Sequence, residues 1–251
     1  MFARTRKAGA LAVLTGCAAV LAVSGCYVDA GQQLKHQAHT YPVSPPVHTL
    51  VISNRVGDVQ VTGGAGRVSV TERIRYRHQL PATAHAVRAG TLTLTGTCPV
   101  THVCDVEYHV RVPPATTVKI GDQVGNIRLG ALTGQVSVHT SAGGITLRSL
   151  SGPVQVRDNA GSISGSDLSP ATATLSTNVG SIDVSFSAPP ATVAATTSVG
   201  SISLRLPRGV TYAIHASATV GSIHVTVPQA GNSAHSITAR TRTGSVTVRP
   251  A

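Results

Sequence analysis

After residue 48 the chain alternates apolar and polar positions with a period of two, which is the pattern of half-buried strands. Residues 48–53 alternate, and Val59 and Val61 precede a turn at Gly63-Gly64. Val68, Val70, Glu72, Ile74 and Tyr76 then share one face of a long predicted strand, with Arg67, Ser69, Thr71, Arg73, Arg75 and Arg77 on the other. Residues 79–89 hold Pro81 and several Ala and read as a loop or a short helical turn. Residues 91–95 and 106–112 alternate again.

From about residue 118 the alternation is set inside a repeat. A small residue, Gly, a small polar residue and Ile or Val recur around Gly125, Gly143, Gly161, Gly180, Gly200, Gly221 and Gly244, at spacings of 18, 18, 19, 20, 21 and 23 residues. An isolated early copy stands at Val56-Gly57-Asp58-Val59. In the first coils Gly134 and Gly152 halve the period to nine, with Ile-x-Leu after one glycine and Val-x-Val after the next. Each coil therefore holds two short strands and two turns. One coil cannot bury its own apolar residues, but stacked coils can. The prediction is an all-β, parallel β-solenoid of about 18–23 residues per coil, preceded by antiparallel or irregular strands. Ile127, Ile145, Ile163, Ile182, Ile202, Ile223 and Val246 should form one inward column, and the residues two before each glycine a polar ladder at the turn. Later coils lengthen at Pro189-Pro190, Pro207 and Pro228, where binding insertions would sit.

The N-terminal region has a different pattern. Arg4, Arg6 and Lys7 precede a short apolar run, residues 8–22, that ends in Val23-Ser24-Gly25-Cys26. The run is shorter than the ~20 residues of a comfortable membrane span. It reads as an export signal, 1–25, and its end resembles the bacterial lipobox, in which the Cys, here Cys26, receives a diacylglyceryl group. Cys17 is a rival that would leave a very short apolar core. Residues 26–47, rich in Gln, His and Pro, read as a flexible tether, and 48–251 as the folded domain, with the regular solenoid from about 118. His36 and His39 have metal-like spacing, but a tether gives them no fixed geometry.

Charge adds a partner class. The formal net charge is +11, and removing residues 1–25 leaves 17 basic against 9 acidic residues. That balance favours an anionic envelope polymer or lipid headgroups, with another envelope protein as a further candidate partner, and the competing role of the Arg residues is to keep an exposed β surface soluble. Nucleic acid is disfavoured: there is no clustered Lys/Arg run, and five Tyr and two Phe, with no Trp, make a poor stacking platform. Cys98 and Cys104 join two predicted strands of an exported chain and predict a disulfide closing a hairpin loop. A metal site using them with His102 would need a tighter Cys pair and a fourth ligand.

No catalytic set emerges, and neither a cofactor nor a metal is expected. Glycoside hydrolysis needs paired carboxylates, and Asp122 and Asp158 occupy equivalent places two coils apart, about 9.6 Å if strands stack at the usual spacing. Turn capping is the competing role. Asp167 and Asp183 are isolated. Gly161-Ser162-Ile163-Ser164-Gly165 matches a nucleophile elbow in letters only, since no helix follows.

Val110-Arg111-Val112-Pro113 leading into Val124-Gly125-Asn126-Ile127, with the later Val-Gly-Ser-Ile copies, resembles the bacterial "putative adhesin" β-strand-repeat family (domain of unknown function 4097) over about residues 48–250. The resemblance implies a right-handed solenoid at the bacterial envelope and brings no catalytic motif. The expectation is a non-enzymatic lipoprotein on the outer face of the cell membrane, acting as an adhesin-like binding or scaffold module. The alternatives are a carbohydrate-active β-helix enzyme and an envelope-stress sensor or regulator.

Overall fold

The computed structural model describes residues 33–44, 46–99 and 103–251. Cys17, Cys26, the expected export signal (1–25) and His102 lie outside the described residues. Residues 33–251 form one compact unit. It contains β strands and, among the described residues, no helix.

The first strands are β1 (Lys35–Val43), β2 (Thr49–Val56), β3 (Val59–Gly63), β4 (Val68–Tyr76), β5 (Ala82–Arg88), β6 (Thr91–Thr97) and β7 (Cys104–Val112). The regular coils follow as β8 (Thr117–Val124) with β9 (Ile127–Leu132), β10 (Val136–Ala142) with β11 (Ile145–Leu150), and β12 (Val154–Ala160) with β13 (Ile163–Leu168). Then come β14 (Thr172–Val179) with β15 (Ile182–Phe186), and β16 (Thr192–Val199) with β17 (Ile202–Leu206). The last two coils are β18 (Ala213–Val220) with β19 (Ile223–Val225), and β20 (Ser236–Thr243) with β21 (Val246–Pro250). Each coil gives one strand to each of two sheets. The eleven-stranded sheet runs β1-β4-β7-β3-β9-β11-β13-β15-β17-β21-β19, and the ten-stranded sheet runs β18-β20-β16-β14-β12-β10-β8-β2-β6-β5. All pairings are parallel except β1 with β4, β4 with β7, and β5 with β6.

The period-two pattern produces this directly. Alternate residues of each strand point between the sheets, where Val, Ile and Leu form the core, and the largest fully buried side chains are Tyr108, Tyr212 and Phe186. The predicted column is buried at Ile127, Ile145, Ile163, Ile182, Ile202 and Val246, but Ile223 is 47% exposed. The coils do not stack in sequence order. β20 and β21 insert between the β16/β17 coil and the β18/β19 coil, so Ile202 pairs with Val246, and Val246 with Ile223. The β18/β19 coil becomes the end of the solenoid and leaves Ile223 uncovered. The opposite end has the same transposition: β2 and β3 lie between the β6/β7 coil and the β8/β9 coil. The early copy at Gly57 is therefore a full member of the stack, and parallel stacking begins before residue 118.

Three further expectations are corrected. The expected tether, 26–47, is not flexible throughout: Lys35–Val43 is a strand, paired along its whole length with β4. Its side chains are mostly exposed on both faces, so it shows no apolar period, and backbone pairing to the bare edge of β4 holds it. Residues 79–89 contain a strand, β5, that pairs with β6 and closes the other sheet's edge. Cys98 and Cys104 are bonded, with Cα atoms 5.9 Å apart. They do not close a hairpin, because β6 and β7 belong to different sheets, so the bond staples the two layers.

Candidate functional site

The repeated glycines form the corner where the chain leaves the ten-stranded sheet for the eleven-stranded one. A side chain has no room there. A Cβ on Gly143 would lie 1.9 Å from the carbonyl oxygen of Gly125, and one on Gly161 2.0 Å from that of Gly143. Gly125, Gly180, Gly200, Gly221 and Gly244 meet the carbonyl below them in the same way. The residue after each glycine builds an exposed ladder. The Asn126 N–H donates to Asp58 Oδ1 (2.9 Å), Gly144 N–H to Asn126 Oδ1 (3.1 Å), and Ser181, Ser201 and Ser245 N–H to the Ser Oγ of the coil beneath (3.2 Å each). The ladder predicted two residues before the glycines is present as one bond, Asn178 Nδ2 to Asn159 Oδ1 (2.7 Å). These glycines are structural.

Just inside the corner runs a second, buried column: Asn54, Asp122, Thr140, Asp158, Thr177, Thr197 and Thr241. Its usual job is to donate a hydrogen bond to a glycine carbonyl at the corner. Thr177 Oγ1 donates to Gly161 O (3.1 Å), Thr197 Oγ1 to Gly180 O (2.9 Å) and Thr241 Oγ1 to Gly200 O (2.9 Å), while Asn54 Nδ2 serves Gly57 O (3.1 Å) and Val106 O (3.0 Å). Asp122 and Asp158 occupy the same slot, 3% and 7% exposed, and an ionised carboxylate has no proton to donate. Neither carboxyl has a well-formed hydrogen-bond partner, nor does the Thr140 hydroxyl between them. Burial pushes the Asp122 carboxyl up to about 7, opposed by the Gln123 N–H and reinforced by the charge of Asp58. Burial also raises Asp158, opposed by the Asn159 and Ala160 N–H groups. The two aspartates are two strands apart, as the repeat predicted, but they face the core and not the outer surface that a glycan would reach.

Among the described residues the remaining acids gather on the eleven-stranded side and are mostly paired. Arg75 bridges Asp105 and Glu107, Arg128 meets Asp58 (2.8 Å), and Arg205 meets Asp183 (3.0 Å). Burial works against the Asp58 charge, but Arg128 and the Asn126 amides hold its carboxyl below the usual range. Glu72 is buried and accepts from Tyr41 Oη at 2.6 Å. Burial and this carboxylate push the Tyr41 phenol far above its ordinary value. His36 and His39 sit three apart on β1 and so project to opposite faces, which separates them as ligands. Among the described residues no group of three or more His, Cys, Asp or Glu is arranged to hold a metal.

The ten-stranded sheet is different. The only acids on its strands are Asp122 and Asp158, and both point inward. Its outer face is Ser, Thr, Gln and Ala with exposed Arg88, Lys119, Arg157, Arg240 and Arg242, joined by His139 and His215. Lys119, His139 and Arg157 lie on three adjacent strands. The net positive charge read from composition is thus concentrated on one broad sheet face that carries no acid. Sequence reasoning did not locate it, because its basic residues are far apart along the chain and converge only through stacking.

The Toastrack DUF4097 family model matches residues 42–249. The chain belongs to this family. Among solved structures it is similar to a putative adhesin from Bacteroides fragilis, at 17% identity and a TM-score of 0.55, over 86% of this chain and 97% of that one. It is also similar to a putative cell adhesion protein from Clostridium sporogenes (12% identity, TM-score 0.35, 86% and 100% covered). A third is a putative lipid binding protein from Parabacteroides distasonis (10% identity, TM-score 0.38, 85% and 96% covered). The likeness to the Bacteroides fragilis structure bears on the fold alone. No curated protein matches the sequence. Among the described residues of this Toastrack chain, no helix is long and apolar enough to cross a membrane.

Proposed function

We propose that this protein is a non-enzymatic binding module of the bacterial envelope, held at the outer face of the cell membrane by a lipid on Cys26. In this reading it lays the outer face of its ten-stranded sheet on an anionic envelope polymer or on anionic headgroups. The acid-free face carries the proposal. A flat surface with cations and no carboxylate attracts polyanions over an area and offers no cleft for chemistry. The adhesin names of the structural neighbours agree with a surface role, and the family match brings no enzyme family with it. Burial of Asp122 and Asp158 weighs against the glycan-cleaving alternative, which needs accessible paired carboxylates.

Sedimentation of the unlipidated Cys26→Ala protein with anionic and zwitterionic vesicles, and with purified anionic wall polymer, tests the face. Binding should fall steeply with salt. A Lys119→Gln/Arg157→Gln/Arg240→Gln variant should lose on the order of 100-fold, at roughly 1 kcal/mol per basic residue near an anionic surface. Equal binding to neutral vesicles, or a triple variant that binds like the parent, refutes the proposal. The anchor is tested separately: Cys26→Ala should abolish incorporation of a lipid analogue in the native host.

A further inference from the structure

At the corner opposite the glycines, near the end closed by β1 and β5, the chain leaves a cleft of about 480 Å³. It lies between the connection from β1 to β2, the start of β4 and the turn from β7 to β8. Its walls include Val43, Val47 and Val68, all buried. Thr116, 2% exposed, also lines it, and its hydroxyl is buried with no hydrogen-bond partner. A buried hydroxyl left unpartnered is costly and needs a reason. Arg67 and His48, both exposed, also line it, and among the described residues no carboxylate does. Arg67 stands at the end of the turn before β4 and takes part in none of the ion pairs on the neighbouring sheet.

These parts have complementary chemistry. A guanidinium with its fork of donors free suits a carboxylate or phosphate, which it can hold through two hydrogen bonds. The apolar walls suit a short hydrocarbon body, and the volume lies within the range of small-ligand sites. We infer that this cleft binds a small amphiphilic anion, a carboxylate or phosphate on a short apolar body, with Arg67 holding the anion and the Thr116 hydroxyl donating to the ligand. The site is separate from the flat cationic face and takes a ligand of different shape: one small molecule and not a polymer.

Calorimetric titration of the full chain in zwitterionic-lipid nanodiscs tests this, with hexyl phosphate, hexanoate, hexanol and inorganic phosphate as probes. Hexyl phosphate or hexanoate should bind one-to-one, at least tenfold more tightly than either hexanol or inorganic phosphate, and the stronger of the two anions identifies the headgroup. Arg67→Ala should weaken that binding by tenfold or more while leaving vesicle and polymer binding close to the parent. Thr116→Val should weaken it severalfold, and Thr116→Ser should retain it. Arg67 is exposed, so its variant tests the site even if the Thr116 variants fail to fold. No binding by either anionic amphiphile overturns the inference. So does hexanol or inorganic phosphate binding equally well, or an Arg67→Ala protein that titrates like the parent. Loss of polymer binding by the Lys119/Arg157/Arg240 variant, with hexyl phosphate binding intact, would separate the two surfaces.

Discussion

Replacing Asp122 by Asn should stabilise this protein at neutral and alkaline pH. The side chain is 3% exposed and its folded carboxyl titrates near 7, against an ordinary value of 3.8. A raised carboxyl pKa means that the folded state holds its proton more tightly than the unfolded chain does. The stabilising contribution is complete below about pH 4 and is lost progressively as pH rises towards 7. A shift of about 3 units corresponds to roughly 4 kcal/mol across that window, an upper bound for a single buried group. Asparagine removes the titration and supplies the amide donor that Asn54 already uses in the next coil. Urea denaturation of parent and Asp122→Asn proteins at pH 5 and pH 8 isolates the effect, because other titrating groups cancel in the difference. The variant should gain about 2–4 kcal/mol at pH 8 and much less at pH 5. A variant less stable than the parent at pH 8, or one with the parent's pH dependence, would show that the carboxylate is ionised and satisfied in its slot.

Two more predictions test the packing. Gly161→Ala puts a Cβ 2.0 Å from the Gly143 carbonyl and should cost 3 kcal/mol or more, about the level at which a named steric mechanism is required. Gly209→Ala, in open space at φ 77°, should cost only about 1 kcal/mol, and equal melting temperatures for the two would undo the corner argument. Ile202→Lys should unfold the neighbouring coils, whereas Ile223→Lys should be nearly neutral, since the two side chains are 0% and 47% exposed. Sequential stacking would make both severe, so thermal melts of the pair check the coil order.

Much of the fold was legible because its rules are local. Glycine is demanded at a corner where carbonyls of adjacent coils nearly touch, so its recurrence revealed the coil. The inward column followed from the alternation. The inward aim of Asp122 was also readable, since Val118, Ile120 and Asp122 are two apart on one strand and share a face, which sets the aspartate among core residues. The order of the last coils was not. Ile202, Ile223 and Val246 sit in near-identical motifs, and pattern alone does not say which copy lies against which. The signals that existed were the three-residue strand at Ile223–Val225 and the long link through Pro228 and Gly231. β1 escaped notice for another reason: a strand wet on both faces has no hydrophobic period, and only a partner edge defines it.

The transposed coils have a consequence for how the molecule is completed. Residues 236–250, which carry β20 and β21, fill a gap between two coils made earlier in the chain. As the polypeptide is made from its N-terminus, β18 and β19 have no permanent neighbour until β20 and β21 arrive. The last segment then acts as a key, and a chain cut short by one coil forfeits the footing of two. At the other end β2 is likewise held between β6 and β8, while β1 forms the edge of the eleven-stranded sheet. A solenoid built in simple sequence could unravel from its tips one coil at a time. This one has its β20/β21 coil tucked one layer in.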